Sequence, residues 1–287
     1  MNDKLEVRFW GVRGSIPSPG ADTVLVGGNT ACVEVRGGGS RIVLDAGTGL
    51  RHLGDALMAS GEHRDVHLLL SHVHWDHVMG FPFFVPLYVP GVEIHVATGH
   101  SGAPLRELLR RQMSAPMFPV DLDRVPSRVV CRDLGDGERF RVGAFEVTVA
   151  RLSHPDPVYA YRIDHAGRSV VYATDTEHQE GVVDARLVAL ARDADVLIYD
   201  AQYTPEEYVG LVGPGRVGWG HSTYRAGAEI AAAANVRTMA LFHHDPRRTD
   251  DGVADIVRRA RELFPATVAA REGLALELPV LGAVSAA

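Results

Sequence analysis

Short hydrophobic runs, some continuous and some alternating with polar residues, recur along the whole chain. Eleven of them have the pattern of β-strands: LEVRFW, ACVEV, RIVLD, VHLLL, VEIHV, FEVTV, YAYRI, SVVYA, VLIYD, MALF and LALEL. Apolar residues spaced three to four apart predict helices over residues 50–59, 103–113, 182–192, 223–234 and 252–263. Because strands outnumber helices about two to one, the pattern favours two packed sheets with helices outside over a doubly wound parallel sheet.

The composition fits one large domain. The chain has 287 residues, of which 46% are hydrophobic and 23% charged, and it contains no linker rich in serine and proline. We therefore predict a single domain over residues 1–287, with a lid or capping insertion at about 99–127. The formal charge of −7 provides no basic field for a long polyanion, so we expect no long nucleic acid among the partners.

The two cysteines and the N-terminal sequence bear on the compartment. Cys32 and Cys131 are far apart and lack CxxC spacing, which predicts neither a disulfide framework nor a thiolate metal site. The first residues, MNDKLEVRFW, lack a basic segment followed by an apolar one, and no apolar run is long enough to cross a bilayer. We expect a cytoplasmic enzyme without a membrane partner.

The segment LLLSHVHWDHVMGF, residues 68–81, carries His72, His74, Asp76 and His77 directly after a hydrophobic run. Imidazole and carboxylate ligands suit zinc, manganese or iron, and a histidine-rich set without cysteine is typical of a catalytic site. On an extended loop the first two histidines face the same way, while the adjacent Asp76–His77 pair can turn toward a neighbouring ion. One motif can therefore serve two metals.

Further ligands are expected where later strands end, because loops after strands present functional groups. Three candidates follow strand-like runs: His154 in RLSHPDP, Asp175 in VVYATDTEH and His243 in MALFHHDP. The glycine-rich DAGTGL lacks both GxGxxG spacing and a Walker lysine, so a phosphate-binding loop is disfavoured there.

With these residues in place, the chain resembles the metallo-β-lactamase superfamily, and within it the phosphodiesterase branch that includes ribonuclease Z and the class II cyclic-nucleotide phosphodiesterases. HVHWDHVMG matches the HxHxDHxxG signature of that branch, and LDAGTG stands where the superfamily has a buried structural aspartate, here Asp45. The resemblance spans roughly residues 5 to 250. It implies a four-layer αββα sandwich of the α/β class, with the site at one edge of the sheets.

The resemblance also implies a ligand set for two divalent ions per chain, with zinc as the first expectation and manganese and iron as alternatives. One ion would take His72, His74 and His154, the other Asp76, His77 and His243, with Asp175 bridging. His244 is the fallback for His243. A homodimer is expected from the same resemblance.

Two ions about 3.5–4 Å apart can hold a bridging hydroxide that attacks phosphorus in line, although the same arrangement serves lactams, lactones and thioesters. IYDAQY and WGHSTYRAGAEIAAAANV resemble the ribonuclease Z segments that supply an acidic residue and its histidine partner, here Asp200 and His221. A histidine oriented by a carboxylate can protonate a departing alkoxide. The predicted catalytic residues are therefore Asp76, His221 and Asp200.

These positions also have structural explanations. Ser222 or Thr223 can cap the alanine-rich helix that follows His221, and Asp200 can be an ordinary strand-end carboxylate. His178, near Asp175, can contact substrate or solvent.

The segment of residues 101–120 has apolar side chains along one face of a predicted helix. This stripe is typical of core packing. It is equally typical of a lid in which Phe118 or Met117 stacks on a base while basic side chains reach phosphate. The helical residues and arginines concerned are Leu105, Leu108, Leu109, Met113, Arg106, Arg110 and Arg111.

Only twenty residues separate His154 from Asp175, where ribonuclease Z enzymes that bind transfer RNA commonly carry a long arm. We therefore expect a small phosphodiester substrate, such as a cyclic nucleotide or a short or cyclic phosphodiester. The alternatives are a metal-dependent hydrolase of a carbon ester, lactone or lactam, and a non-catalytic metal-binding sensor or assembly protein. A flavin-partnered di-iron oxidoreductase is disfavoured because His74 stands where that branch has glutamate.

Overall fold

Two seven-stranded β-sheets face each other in the computed structural model of this chain, with helices packed outside them. The structure describes residues 4–99 and 101–280. The predicted αββα sandwich is confirmed. The predicted domain of residues 1–287 and its insertion at about 99–127 include residues 1–3, 100 and 281–287, which lie outside the described part of the chain.

The first sheet is antiparallel on one side and parallel on the other. Its strands are β1 (Lys4–Gly11), β2 (Cys32–Gly37), β3 (Ser40–Leu44), β4 (Asp65–Leu70), β5 (Glu93–Gly99), β6 (Arg128–Leu134) and β14 (Ala275–Pro279). They lie in the order β14-β1-β2-β3-β4-β5-β6. The pairs from β14 to β3 are antiparallel, and those from β3 to β6 are parallel.

The second sheet repeats this division. Its strands are β7 (Arg139–Val142), β8 (Phe145–Arg151), β9 (Tyr159–His165), β10 (Arg168–Ala173), β11 (Val196–Asp200), β12 (Thr238–Phe242) and β13 (Thr267–Ala269). Their order is β13-β12-β11-β10-β9-β8-β7. The strands from β7 to β10 are antiparallel, and those from β10 to β13 are parallel.

The described residues form seven α-helices. They are α1 (Gly49–Ser60), α2 (Trp75–Val78), α3 (Leu105–Gln112), α4 (Ala185–Ala191), α5 (Pro205–Tyr208), α6 (Tyr224–Ala233) and α7 (Asp250–Leu263). All five helices expected from apolar spacing are present. The pattern missed α2 and α5 because each is a single turn of four residues, too short to show a helical period.

The eleven expected strands are also present, and the three that the pattern missed, β6, β7 and β13, each lie at the edge of a sheet. Edge strands face solvent along one side and tolerate short lengths and charged residues. β7 reads RFRV and β13 has three residues, so neither shows a clear hydrophobic run.

Two apolar layers hold the sheets and helices together. Phe9 and Leu44 of the first sheet and Tyr161 and Phe242 of the second belong to one fully buried cluster. A second cluster packs the outer face of the first sheet against α1 and α3. Each large side chain buried in this way contributes about 1.5–3 kcal/mol of transfer free energy. Cys32 and Cys131 are both free thiols, the first buried and the second partly buried.

The parallel halves of the two sheets determine where functional side chains gather. The loops after β4, β10, β11 and β12 begin within two residues of His72, Asp175, Asp200 and His243. Since the carboxyl ends of parallel strands lie at one edge of a sheet, these loops place the predicted ligands together. None of the helices in the described residues is long and apolar enough to cross a membrane.

Candidate metal centre

The structure brings the seven predicted ligands into two groups that share one residue. His72, His74, His154 and Asp175 form the first group, and Asp76, His77, Asp175 and His243 form the second; within each group the candidate ligand atoms lie within 4.8 Å of one another. Because Asp175 belongs to both groups, it occupies the position expected of a bridging ligand. The division between the groups is the one that the sequence resemblance implied.

The second group has ring nitrogens that face each other. His77 Nδ1 lies 2.7 Å from Asp45 Oδ2, and His243 Nδ1 lies 2.8 Å from Gln202 Oε1. With each Nδ1–H donating to these acceptors, both Nε2 atoms carry lone pairs, yet they are 3.2 Å apart. His243 Nε2 is also 3.1 Å from Asp76 Oδ2. Two lone pairs and a carboxylate that converge in this way attract a shared cation, which can be a proton or a metal ion.

The electrostatics of the group lead to the same conclusion. Burial lowers the pKa of His77, but the charges of Asp175, Asp76 and Asp45 outweigh burial and hold that pKa well above its usual range. These carboxylates therefore attract positive charge to the His77 ring, either a proton or a metal ion.

In the first group, His72 Nε2 is buried and has no hydrogen-bond partner among the described residues. Its Nδ1 is 3.0 Å from Ser71 Oγ. Burial lowers the pKa of His72 well below its usual value, which favours the neutral imidazole that binds metals. An unpartnered, buried and neutral ring nitrogen beside Asp175 fits a metal ligand.

The buried carboxylate of Asp45 orients His77 and the end of β4 through hydrogen bonds. The residue is fully buried, and its carboxylate accepts hydrogen bonds from Ser71 N at 2.6 Å, Ser71 Oγ at 2.8 Å and Tyr172 Oη at 2.6 Å, in addition to the contact with His77. Asp45 therefore ties the end of β4 to β10 of the opposite sheet and fixes the tautomer of His77. The structural role that the resemblance implied for Asp45 agrees with these contacts.

Several residues of the centre were not singled out from the sequence. Ser15 N donates to Asp76 Oδ2 at 2.7 Å from the loop that follows β1. The Arg13 side chain in the same loop is completely buried, and it donates to the carbonyls of Gly27 at 2.7 Å and Arg248 at 2.6 Å. The GVRGSIPSPG segment thus closes over the second ligand group. Gln202, which orients His243, had no sequence signal beyond its place after β11.

Gly80, the last residue of the HxHxDHxxG signature, must be a glycine because two loops pack closely together at this position. A Cβ on Gly80 would collide with the carbonyl oxygen of Gly47, and Gly80 N donates to Ala46 O at 2.9 Å. The loop after β3 and the turn after α2 can approach this closely only when both positions lack a side chain.

His221 and Asp200 form the predicted pair at the rim of the centre. His221 Nδ1 lies 2.9 Å from Asp200 Oδ2, and the ring stacks on His243 with centroids 4.9 Å apart. Burial lowers the pKa of His221, but Asp200, by its charge and hydrogen bond, raises it to about 9. The ring of Tyr203 lies edge-on to that of His221, with centroids 5.9 Å apart.

The structure distinguishes between the two residues that were predicted as possible caps of the helix after His221. Thr223, not Ser222, caps α6, because its side chain accepts from Ala226 N at 3.3 Å. Ser222 Oγ instead bonds Tyr199 Oη at 2.8 Å and His178 Nδ1 at 2.9 Å. Ser222 therefore anchors the chain beside His221. His178 makes this contact rather than joining either ligand group.

The side chains of the adjacent residues His243 and His244 point to opposite sides of the chain. His244 Nε2 donates to Ala270 O at 2.9 Å, and burial lowers its pKa to about 3. It therefore remains neutral and holds the backbone, whereas His243 faces Asp76 and Asp175. The fallback assignment to His244 does not fit this geometry.

The segment of residues 101–120 packs partly on the core. Leu105, Leu109 and Met113 are buried, while Leu108 faces a cleft of about 240 Å³ that it shares with Met117 and the exposed Trp75 of the metal loop. Phe118 packs edge-on against Phe83 with centroids 5.6 Å apart. The stripe thus serves core packing, and the lid function remains a prediction.

Comparison with known proteins places this geometry in a family. The family model described as "Beta-lactamase superfamily domain" matches residues 40–244. A protein named ribonuclease Z from Archaeoglobus fulgidus is 25% identical, with 95% of this chain and 97% of that protein covered. The uncharacterized protein ML1173 of Mycobacterium leprae is 32% identical over 79% of this chain and 74% of its own length.

Among solved structures, the metallo-β-lactamase fold protein YhfI from Bacillus subtilis is similar with a TM-score of 0.73 and 18% identity, covering 96% of this chain and 99% of that one. At this identity the likeness concerns the fold alone. The family match and the curated relatives confirm the predictions of a metal-dependent hydrolase and of divalent metal ions as its cofactors.

The expectation about partners was wrong. We expected a small-molecule substrate and no long nucleic acid, from the acidic net charge and the missing arm, but relatives named ribonuclease Z align with more than nine-tenths of the chain. Net charge describes the average field of a protein and does not determine which substrate fits one edge of it. The acidic net charge of the chain was therefore not a sufficient reason to exclude an RNA substrate.

The αββα sandwich, the HxHxDHxxG loop and the family match together establish that this chain belongs to the β-lactamase superfamily.

Proposed function

We propose that this protein is a phosphodiesterase with two divalent metal ions at the edge of its sheets. The observation that carries the proposal is the pair of ligand groups sharing Asp175, with the His221–Asp200 pair directly beside them. The first ion would be held by His72, His74 and His154, the second by Asp76, His77 and His243, and Asp175 would contact both. When bound, two such ions supply a nucleophile near neutral pH and neutralise charge on a phosphate group.

The protein's own residues supply the proton for the departing group. Asp200 is fully buried at the end of β11, and it accepts from Gln202 N at 3.0 Å as well as from His221. These contacts fix the carboxylate, and His221 Nε2 at the rim of the site has no hydrogen-bond partner among the residues that the structure describes. Because its pKa is raised to about 9, His221 carries a proton at neutral pH that it can deliver to a leaving alkoxide.

Hydrogen bonds within the protein hold the second ligand group in place, so its arrangement does not depend on bound substrate. Ser15 N and His243 both contact Asp76 Oδ2, while Gln202 holds His243 from behind. Asp76 is therefore held beside the other residues that would bind the second ion, and it cannot rotate into solvent without losing these bonds. Such preorganisation lowers the reorganisation needed during the reaction.

The proposed scissile bond is a phosphodiester in a cyclic nucleotide, a short or cyclic phosphodiester, or an RNA strand. The segment between His154 and Asp175 is mostly the β9–β10 hairpin, so an RNA would be held by other surfaces than an arm at that place. The ribonuclease Z relatives support including RNA among the substrates.

The proposal is tested by hydrolysis of bis(p-nitrophenyl) phosphate, cyclic nucleotides, dinucleotides and short RNAs by protein loaded with zinc, manganese or iron. We expect phosphodiester cleavage that is lost on chelation and restored by metal. The variants His243→Gln and His244→Gln form a matched pair, since only the first removes a residue of the ligand groups. Activity should fall more than about 100-fold in the first and stay within a few-fold in the second. Faster turnover of a lactone or a carbon ester than of any phosphodiester would contradict the proposal.

A further inference from the structure

A cleft of about 380 Å³ opens beside His221, on the side away from the first ligand group. Its walls include Tyr203, Arg216 and Trp219, and its floor includes Gln202 and Ser15, which also contact the metal ligands. A group that leaves from a phosphate in the centre and takes its proton from His221 would enter this cleft.

Arg216 is the unusual residue of the cleft. Only 7% of it is exposed, and its guanidinium lies over two aromatic rings, 4.6 Å from the Trp219 centroid and 5.7 Å from that of Tyr203. No carboxylate of residues 4–99 or 101–280 lies within ion-pair distance of it, and its side chain donates no hydrogen bond to any of these residues. Aromatic faces attract a cation but satisfy its five N–H donors only weakly.

The acidic groups near the cleft already have partners. Asp245 is bonded to the backbone and side chain of Arg247, at 2.8 Å and 3.2 Å. Asp200 is bonded to His221, and Glu207 accepts from Arg248 at 2.6 Å. Arg216 is therefore a mostly buried cation without a counter-ion among the described residues, and its unpaired guanidinium nitrogens keep some access to the cleft, an arrangement that favours the binding of an anion.

We propose that Arg216 binds a second phosphate group of the substrate, on the side from which the leaving group departs. The inference rests on the proposed phosphodiesterase function and narrows its substrate class to linear molecules with at least two phosphates, such as an oligonucleotide. A cyclic mononucleotide has a single phosphate and cannot fill both sites. Trp219 is 56% exposed, which leaves ring surface for a base next to that phosphate.

The test compares UpU, which has one phosphate, with UpUpU, which has two. Metal-loaded wild type and the variants Arg216→Gln, Arg216→Lys and Arg259→Gln are assayed on both and on bis(p-nitrophenyl) phosphate. Arg259 is the matched control, because it also lies over a tyrosine ring, at 5.3 Å from Tyr224, but is ion-paired with Glu206. Thermal unfolding of each variant reports whether the loop still folds.

We expect Arg216→Gln to raise KM for UpUpU roughly 10- to 100-fold with kcat nearly unchanged, because a charged hydrogen-bonding group is lost. Kinetics on bis(p-nitrophenyl) phosphate should not change, Arg216→Lys should recover part of the loss, and Arg259→Gln should behave as wild type. An equal change on all three substrates, or no change on UpUpU, would overturn the inference.

A binding measurement separates this inference from the proposed function. Tryptophan fluorescence of the metal-loaded protein is titrated with UpUpU and UpU, and Trp219→Phe identifies the signal of Trp219 among the three tryptophans. UpUpU should change that signal in wild type at concentrations at which it leaves Arg216→Gln unchanged. If no phosphodiester is cleaved but this binding difference is found, the proposed function fails and the anion site stands. If cleavage occurs and the two trinucleotide titrations coincide, the anion site fails alone.

Discussion

At the scale of single residues, the direction of each metal-facing nitrogen is determined by the group bonded to the other nitrogen of the same ring. In each of three histidines, a side-chain oxygen accepts a hydrogen bond from Nδ1. The acceptor is Asp45 for His77, Gln202 for His243 and Asp200 for His221. In the proposed mechanism, the first two rings thereby present Nε2 to a metal ion, and the third presents Nε2 to the leaving group. The chemistry of three histidines therefore depends on three acceptors that never touch the substrate.

Replacing His221 with alanine should affect substrates according to their leaving groups. UpU, whose alkoxide needs a proton, should be cleaved about 10²- to 10⁴-fold more slowly. Bis(p-nitrophenyl) phosphate has a leaving group that departs without a proton, so its rate should fall only a few-fold. The comparison of kcat on the two substrates measures this difference, with His52→Ala on the exposed face of α1 as the control. Equal losses on both substrates would remove the proton-donor role from His221.

Asp45→Asn should weaken metal binding by roughly 10- to 100-fold, because the amide cannot accept from Ser71, Tyr172 and His77 together. Competition with a chelator of known affinity measures the change. Asp195→Asn is the matched control, since Asp195 is also buried and accepts from Ser169 N and Arg168 but lies away from the centre. If the two variants bind metal equally well, Asp45 does not orient the ligands.

At this scale the sequence predicted candidate ligands that the structure brings together, but it did not predict the residues that orient them. HxHxDHxxG and three strand-end residues pointed to metals because their side chains bind metals by their own chemistry. Ser15 acts through its backbone N–H and Gln202 through an amide that binds many partners, so neither residue type indicates the role. Arg216 lies in a segment that reads as an ordinary glycine-rich loop, and only the structure shows that it packs on Tyr203 and Trp219 without an ion-pair partner among the described residues.

At the scale of elements, the parallel strands supply the precision of the site. β4, β10, β11 and β12 are bonded on both sides within their sheets, and each is followed within two residues by a functional side chain. Central strands show clear hydrophobic runs, so they and the ligands after them were predictable. The edge strands β6, β7 and β13 were not, because their exposed side relaxes the pattern.

The close approach of two loops at Gly80 gives a prediction at this scale. Gly80→Ala should lower the free energy of unfolding by about 1–3 kcal/mol or more, because the added Cβ meets the Gly47 carbonyl and pushes α2 away from the first sheet. Metal affinity should fall with it, since α2 carries Asp76 and His77. Urea unfolding measures the first effect. Gly135→Ala, in a loop where the nearest atom is 3.6 Å from the new Cβ, should change stability by no more than about 0.5 kcal/mol. Equal stabilities of the two variants would contradict this packing argument.

At the scale of the whole molecule, the sandwich brings ligands from both sheets to one edge. His72, His74, Asp76 and His77 follow β4 of the first sheet, whereas His154, Asp175 and His243 follow strands of the second. Neither sheet alone holds a complete ligand group for either of the two proposed ions. Metal binding should therefore link the two sheets, and removal of metal should lower the melting temperature, because an ion that binds only the folded state stabilises it.

The number of metal ions per chain tests the central claim most directly. Elemental analysis of protein loaded with zinc and freed of excess metal should give about two ions per chain in the wild type. Asp175→Ala, which removes the residue common to both ligand groups, should give clearly fewer, while His244→Gln should match the wild type. A wild-type value near zero after loading, or a value that Asp175→Ala leaves unchanged, would contradict the account.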